Sequence, residues 1–185
     1  GKGGMIAVLG IKIENLMELI NKEKEKNGVC EIANDNAEGQ VIVSGDLHKI
    51  EDLKVILKEE KIKFIPLKVS APFHCALMRP ATEIMREKIN STKFLPPSHD
   101  IVCNVTALPE KNSEMIKKLL IDQIVSTVKW RESLINMSKA GINNFIEIGP
   151  GKALIGMVKR TIKSANIFSI NSIADMKKLT YELEK

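Results

Sequence analysis

Of the three histidines in this 185-residue chain, one stands where chemistry is easily done. His74 follows a strand-like stretch and Ala71-Pro72-Phe73, at the point where a helical pattern opens. Strand-to-helix corners of α/β folds are common seats for catalytic side chains. A helix N-terminus disfavours imidazolium, so a ring held there stays neutral and able to accept a proton. His48 falls on the polar surface of a helix and His99 in the loop after Pro96-Pro97, and both read as solvent-facing residues.

A base needs a nucleophile. The chain contains no Gly-x-Ser-x-Gly elbow, and Ser44 and Ser70 lack its flanking glycines. Cys75 adjoins His74, but consecutive side chains at a helix start diverge, so it is not taken as the nucleophile. Gly149-Pro150-Gly151 follows an apolar strand as a phosphate loop would. It has two glycines and no GKS or GKT ending, and reads as a tight strand-to-helix turn. Cys30, Cys75 and Cys103 are odd in number and widely spaced, which fits neither a disulfide framework nor a CxxC metal pair. A reducing interior is the expected setting.

The elements that must position these residues begin with a short apolar strand, Met5 to Leu9. Ile13, Leu16, Met17 and Ile20 then mark a helix face, and a Lys/Glu-rich turn leads to Gly28. Val29 to Ala33 and Gln40 to Val43 read as strands joined by the polar turn from Asn34 to Gly39. Asp46 is the expected N-cap of a helix with Ile50, Leu53 and Leu57 inside, and a fourth strand spans Ile62 to Val69. The order β-α-β-β-α-β is that of ferredoxin-like domains. Beyond it, helices are expected at about Cys75 to Asn90, Glu110 to Ile124, Arg131 to Ala140 and Lys152 to Lys163. Strands are expected at Ile101 to Val105, Phe145 to Ile148 and Ile167 to Ile170, with a terminal helix. Parallel α/β structure is the natural reading of this second part. The expected division is a small subdomain over 1–68 and a larger α/β part over 69–185.

Hydrophobic residues at 44% and charged residues at 28% exclude a disordered or fibrous chain. No uncharged run approaches the ~18 residues of a membrane helix, and no membrane partner is expected. The net charge of +5 rests almost wholly on lysine, and aromatics are only 4% of residues. Base-stacking surfaces need aromatics, so nucleic acid is not expected as a partner. A mildly basic surface suits an acidic one.

Several segments together resemble the malonyl-CoA:acyl carrier protein transacylase family. They are Gly3-Gly4-Met5-Ile6-Ala7-Val8-Leu9-Gly10, Ala33-Asn34-Asp35-Asn36, Gly39-Gln40-Val41-Ile42-Val43-Ser44-Gly45, and the run from Pro66 through Pro72-Phe73-His74 to Ala81. Asn104-Val105-Thr106-Ala107, Gln123 with Val128-Lys129-Trp130, and Glu147-Ile148-Gly149-Pro150-Gly151-Lys152-Ala153-Leu154 complete the set. The resemblance implies an α/β-hydrolase-like large subdomain carrying a ferredoxin-like small one. It implies that His74 is the base of a Ser-His dyad and that the Gln123 main-chain carbonyl orients its ring. Asn34 and Asn36 would line the acyl cleft, and Phe73 would crowd out an α-methyl substituent, a steric discrimination worth only ~1–3 kcal/mol.

The same resemblance implies malonyl transfer from coenzyme A to the phosphopantetheine thiol of acyl carrier protein in fatty-acid synthesis. The implied partners are malonyl-CoA and the carrier protein, with no metal and no bound cofactor. The setting would be a bacterial cytoplasm, or a plastid or apicoplast stroma. The family's serine elbow, an oxyanion-hole segment and the malonyl-binding arginine would all precede Gly1, so the chain matches the C-terminal part and alone should be inactive. Ala37-Glu38 replaces the family's usual Ser-Pro. The rival readings are a non-catalytic ferredoxin-like interaction module and a polyketide-type acyltransferase fragment.

Overall fold

The computed structural model describes residues 3–22 and 27–183. The Lys/Glu-rich turn expected before Gly28 lies largely outside the described residues. The chain divides into two compact units, Gly1–Ser133 and Leu134–Lys185.

The first unit is built on a four-stranded antiparallel sheet of order β2-β3-β1-β4. Its strands are β1 (Gly3–Leu9), β2 (Cys30–Ala37), β3 (Gln40–Asp46) and β4 (Lys63–Pro66), with helices α1 (Ile13–Lys22) and α2 (Leu47–Glu59) between them. The central pair β1/β3 runs from Gly3 opposite Asp46 to Leu9 opposite Gln40. Ile6, Val8, Val41 and Val43 turn one face to α1 and α2, where they pack with Leu16, Ile50, Leu53 and Leu57. Met5, Ala7, Ala33 and Ile42 form a second cluster with Leu67. Both faces are covered, which explains why β1 is a continuous apolar run rather than an alternating one. The β-α-β-β-α-β order is as expected, and so is the inner face of α2.

Four local expectations are corrected. The stretch from Asn34 to Asn36 is strand, not turn: β2 continues to Ala37 and only Glu38-Gly39 reverses the chain, with Gly39 at φ +69°. Two register irregularities absorb the extra length of β2, and Asp35 N and Val128 O bond at 2.9 Å along its outer edge. The face of α1 is rotated, because Leu19 is buried while Met17 is 47% exposed. Asp46 precedes α2 but makes no side-chain cap; its Oδ2 accepts from Val29 N at 2.7 Å instead. The fourth strand ends at Pro66, leaving 67–75 as a loop.

The rest of this unit holds α3 (Arg79–Ser91), β5 (Ile101–Val102), β6 (Pro109–Glu110) and α4 (Ser113–Asp122). The expected strand over 101–105 is only two residues long and pairs antiparallel with β6, which occupies the expected helix start at Glu110. The helix begins later because Asn112 caps it, accepting from Glu114 N and Met115 N.

Helix α5 (Trp130–Lys139) runs across the boundary of the two units. The second unit contains β7 (Asn144–Ile148), α6 (Ala153–Thr161), β8 (Asn166–Ile170) and α7 (Ile173–Leu183). Strands β7 and β8 are parallel over five pairs, Asn144/Asn166 to Ile148/Ile170, the parallel βαβ geometry expected here. Gly149-Pro150-Gly151 is a turn, with Gly149 at φ +132° and Gly151 at φ +101°. The amides a phosphate would use at the start of α6 are already taken. Leu154 N and Ile155 N donate to the two Glu147 carboxylate oxygens at 3.2 and 3.0 Å.

Candidate active site

His74 lies in the loop between β4 and α3, anchored at its start by Leu67 N to Met5 O at 2.9 Å. The expected helix over 75–90 begins at Arg79, after a single 3₁₀ turn at Ala76–Met78, because Cys75 is fully extended at φ −143°, ψ 172°. His74 itself is left-handed at φ +58°, a conformation that costs a non-glycine residue energy and persists only where surroundings enforce it. Those surroundings include Glu31, whose Oε2 accepts from Ala76 N at 3.0 Å.

The partner of the ring is the carbonyl end of α4. His74 Nδ1 is 2.9 Å from Gln123 O. A carbonyl only accepts, so Nδ1 carries the hydrogen and Nε2 keeps the lone pair in the neutral ring. Gln123 is the residue that ends α4, and its carbonyl belongs to the last turn, where helix carbonyls lack an intrahelical donor. The expectation of a helix N-terminus at His74 is thus replaced by a helix C-terminus, the negative end of the dipole.

Three residues missed from the sequence complete the setting. Asn104 Nδ2 donates to Gln123 Oε1 at 3.0 Å. Thr127 Oγ1 donates to Ile32 O at 2.6 Å, tying segment 125–129 to β2. Arg131 grips Asp35, its Nε 3.0 Å from both carboxylate oxygens and its Nη2 2.9 Å from Oδ2. Asn104 lay within a motif that carried no role, and the other contacts join residues about a hundred positions apart, beyond any local pattern.

His74 borders a cavity of about 780 Å³ walled by Ile13, Met17 and Ile32 and by Lys49, Thr127 and Arg131. Phe73, Asn34 and Asn36 are not among its lining residues. Phe73 is 39% exposed beside His74, and Asn34 and Asn36 are half-buried on β2. His74 and Gln123 are in hydrogen-bond contact, and Phe73, Asn34 and Asn36 belong to the same unit without walling this cavity.

Cys75 is buried, donates to Pro72 O at 3.2 Å and accepts from Ser44 Oγ at 3.5 Å. Burial pushes its thiol above the ordinary range, against the thiolate a nucleophile requires. Among the described residues, no group of three or more His, Cys, Asp or Glu could hold a metal ion, and no helix is long and apolar enough to cross a membrane.

No protein-family model matches the chain. It is 35% identical over 172 residues to the malonyl CoA-acyl carrier protein transacylase of Bacillus subtilis, covering 92% of this chain and 54% of that protein. The crystal structure of malonyl CoA-acyl carrier protein transacylase from Clostridium perfringens superposes with a TM-score of 0.93 at 34% identity, over 100% of this chain and 58% of that one. A malonyl-transacylase solved in complex with a type II polyketide acyl-carrier protein gives a TM-score of 0.92 at 29% identity, over 98% of this chain and 59% of that one. The chain spans a little over half the length of the relatives it matches. Over nearly all of its own length, it is homologous to part of the malonyl CoA-acyl carrier protein transacylases.

Proposed function

We propose that this chain supplies the general base of a malonyl transfer from coenzyme A to the phosphopantetheine thiol of acyl carrier protein. The observation that carries the reading is the His74 Nδ1 to Gln123 O hydrogen bond of 2.9 Å, which leaves Nε2 as the free base. A serine hydroxyl, from a segment outside these 185 residues, attacks the malonyl thioester carbonyl while Nε2 takes its proton. The imidazolium so formed keeps its hydrogen bond to the negative end of α4, which favours it electrostatically. Collapse of the tetrahedral intermediate breaks the carbon–sulfur bond, and the proton on Nε2 passes to the departing coenzyme A thiolate. The carrier-protein thiol then repeats the sequence in reverse, giving its proton to Nε2 and receiving the malonyl group, and the serine is regenerated.

In this reading the β-α-β-β-α-β portion is the ferredoxin-like small subdomain, residues 69–185 belong to the large one, and Phe73, Asn34 and Asn36 line the acyl cleft. The test is a chimaera in which this chain replaces the matching stretch of the Bacillus subtilis relative. Malonyl transfer from malonyl-CoA to holo acyl carrier protein is expected from the chimaera and not from the isolated chain. A folded chimaera with no transfer, or stable malonyl labelling of the isolated chain, overturns the reading.

A further inference from the structure

We propose that Asn104 is a positioning residue for His74, acting through Gln123. The inference rests on the proposed role of His74 as base and extends it to a residue that touches neither the ring nor the substrate.

The orienting carbonyl is at a helix end, where nothing in the helix itself holds it. Gln123 N still bonds to Leu119 O at 3.0 Å, but Gln123 O has two suitors: His74 Nδ1 at 2.9 Å and Ser126 N at 3.4 Å. Rotation of that peptide toward Ser126 would tighten the turn and release the ring. The opposing restraint is the Gln123 side chain, whose Oε1 accepts from Asn104 Nδ2 at 3.0 Å.

Asn104 is itself well fixed. It lies in the turn closed by Ala107 N to Cys103 O at 2.8 Å and Cys103 N to Leu108 O at 3.1 Å, with Ala107 left-handed at φ +58°. Its main-chain carbonyl accepts from Lys129 N at 3.0 Å. One residue therefore clamps both ends of segment 123–129, by its side chain at Gln123 and by its backbone at Lys129. The same segment is pinned to β2 through Val128, whose N donates to Ala33 O at 2.8 Å and whose O accepts from Asp35 N at 2.9 Å. Through Asn104, the carbonyl that faces His74 is referred to the sheet edge as well as to α4.

The experiment is nitrogen-15 and proton NMR of the intact chain, read at a pH where the His74 ring is neutral. In the parent, His74 is expected as the Nδ1–H tautomer with a slowly exchanging ring proton. In Asn104→Ala that proton should exchange about tenfold faster, the scale of one lost hydrogen bond, and the tautomer bias should weaken, with the amide signals of α4 in place. Asn104→Asp should restore the parent behaviour, because the Gln123 amide can turn to donate Nε2 to the carboxylate. Should Asn104→Ala fail to fold, Gln123→Ala removes the same bond from the other side and should show the same acceleration. A ring proton unchanged in the folded alanine variant, or an aspartate variant as impaired as alanine, overturns the inference. The readout needs neither serine nor substrate, so an inactive chimaera would sink the proposed function and leave this result standing.

Discussion

Arg131 Nε lies 3.0 Å from both carboxylate oxygens of Asp35, so a residue in the first turn of α5 is locked to the outermost strand of the sheet, 96 positions away. Asp35 is 6% exposed, and its backbone N–H donates to Val128 O of the neighbouring segment. Hydrogen bonding to Asp35, outweighing burial, holds the Arg131 guanidinium above its ordinary value, so the cation is permanent wherever the protein is folded. Arg131→Ala would leave a nearly buried carboxylate unpaired. The expected cost is about 1–3 kcal/mol, below the full figure for buried pairs because Arg131 is partly exposed. Arg131→Lys should cost most of the same, since an ammonium cannot span both oxygens. Urea unfolding midpoints measure both; a midpoint unchanged in Arg131→Ala would show the pair to be idle.

Cysteine chemistry gives a second expectation. Burial pushes the Cys30 thiol up from 9.0 to about 11, and burial also raises Cys75 and Cys103. At pH 8 the folded chain should react with iodoacetamide far more slowly than the urea-unfolded chain, at all three positions. The stability consequence has a definite sign. Between pH 9 and 11 the unfolded chain has lost the Cys30 proton that the folded chain retains, so stability falls as pH rises, with a slope of at most ~1.4 kcal/mol per unit from this group. Cys30→Ser should flatten that stretch of the stability profile. Rapid alkylation of the native chain at pH 8, read by mass spectrometry, would contradict the burial argument.

How far the sequence reaches is visible in particular residues. The run from Met5 to Leu9 and the Ile50, Leu53 and Leu57 stripe were legible because burial writes itself into local periodicity. Asn34 to Asn36 read as a turn because all three are polar, yet they are strand. The reason is tertiary: Asp35 is neutralised by Arg131, and the edge is paired with Val128. Asp46 has the right type for a cap but spends its carboxylate on Val29. The start of α3 was misplaced because Cys75 is held extended by its own burial and by Glu31 at the next amide, neither of which has a local signature. His74 could be singled out from its neighbours alone. Its partner Gln123, 49 positions on, was reachable only through family resemblance.

The second unit offers a test of what its glycine turn is for. Glu147 places both carboxylate oxygens on the first amides of α6, doing for that helix what an anion would do. Glu147→Ala should cost about 1 kcal/mol of stability, the scale of a lost cap. Glu147→Gln, which keeps one acceptor and loses the charge, should cost less. Inorganic phosphate should not raise the melting temperature of the parent chain, because its amides are occupied. A phosphate-dependent rise in the parent would revive the anion-loop reading.

The sharpest expectation concerns the three histidines in the active chimaera. A positioned general base contributes typically ~10²–10⁴-fold, and without it the serine is left unactivated. His74→Ala should therefore lower malonyl transfer at least ~100-fold with the fold retained, since the loop around it contributes little to either sheet cluster. Among the described residues, His48 bonds to the exposed Asn27 carbonyl at 3.0 Å and His99 to its neighbour Ser98 at 2.9 Å, so alanine at either position should leave the rate near the parent value. Gln123→Ala keeps the carbonyl that meets the ring and gives up the Asn104 anchor, and its loss should stay below ~10-fold, the worth of one hydrogen bond between neutral groups. Rates measured for the four variants in parallel decide the assignment. If His74→Ala transferred malonyl at the parent rate while its circular dichroism matched the parent, the base would have to be sought elsewhere and the strained His74 turn would be purely structural.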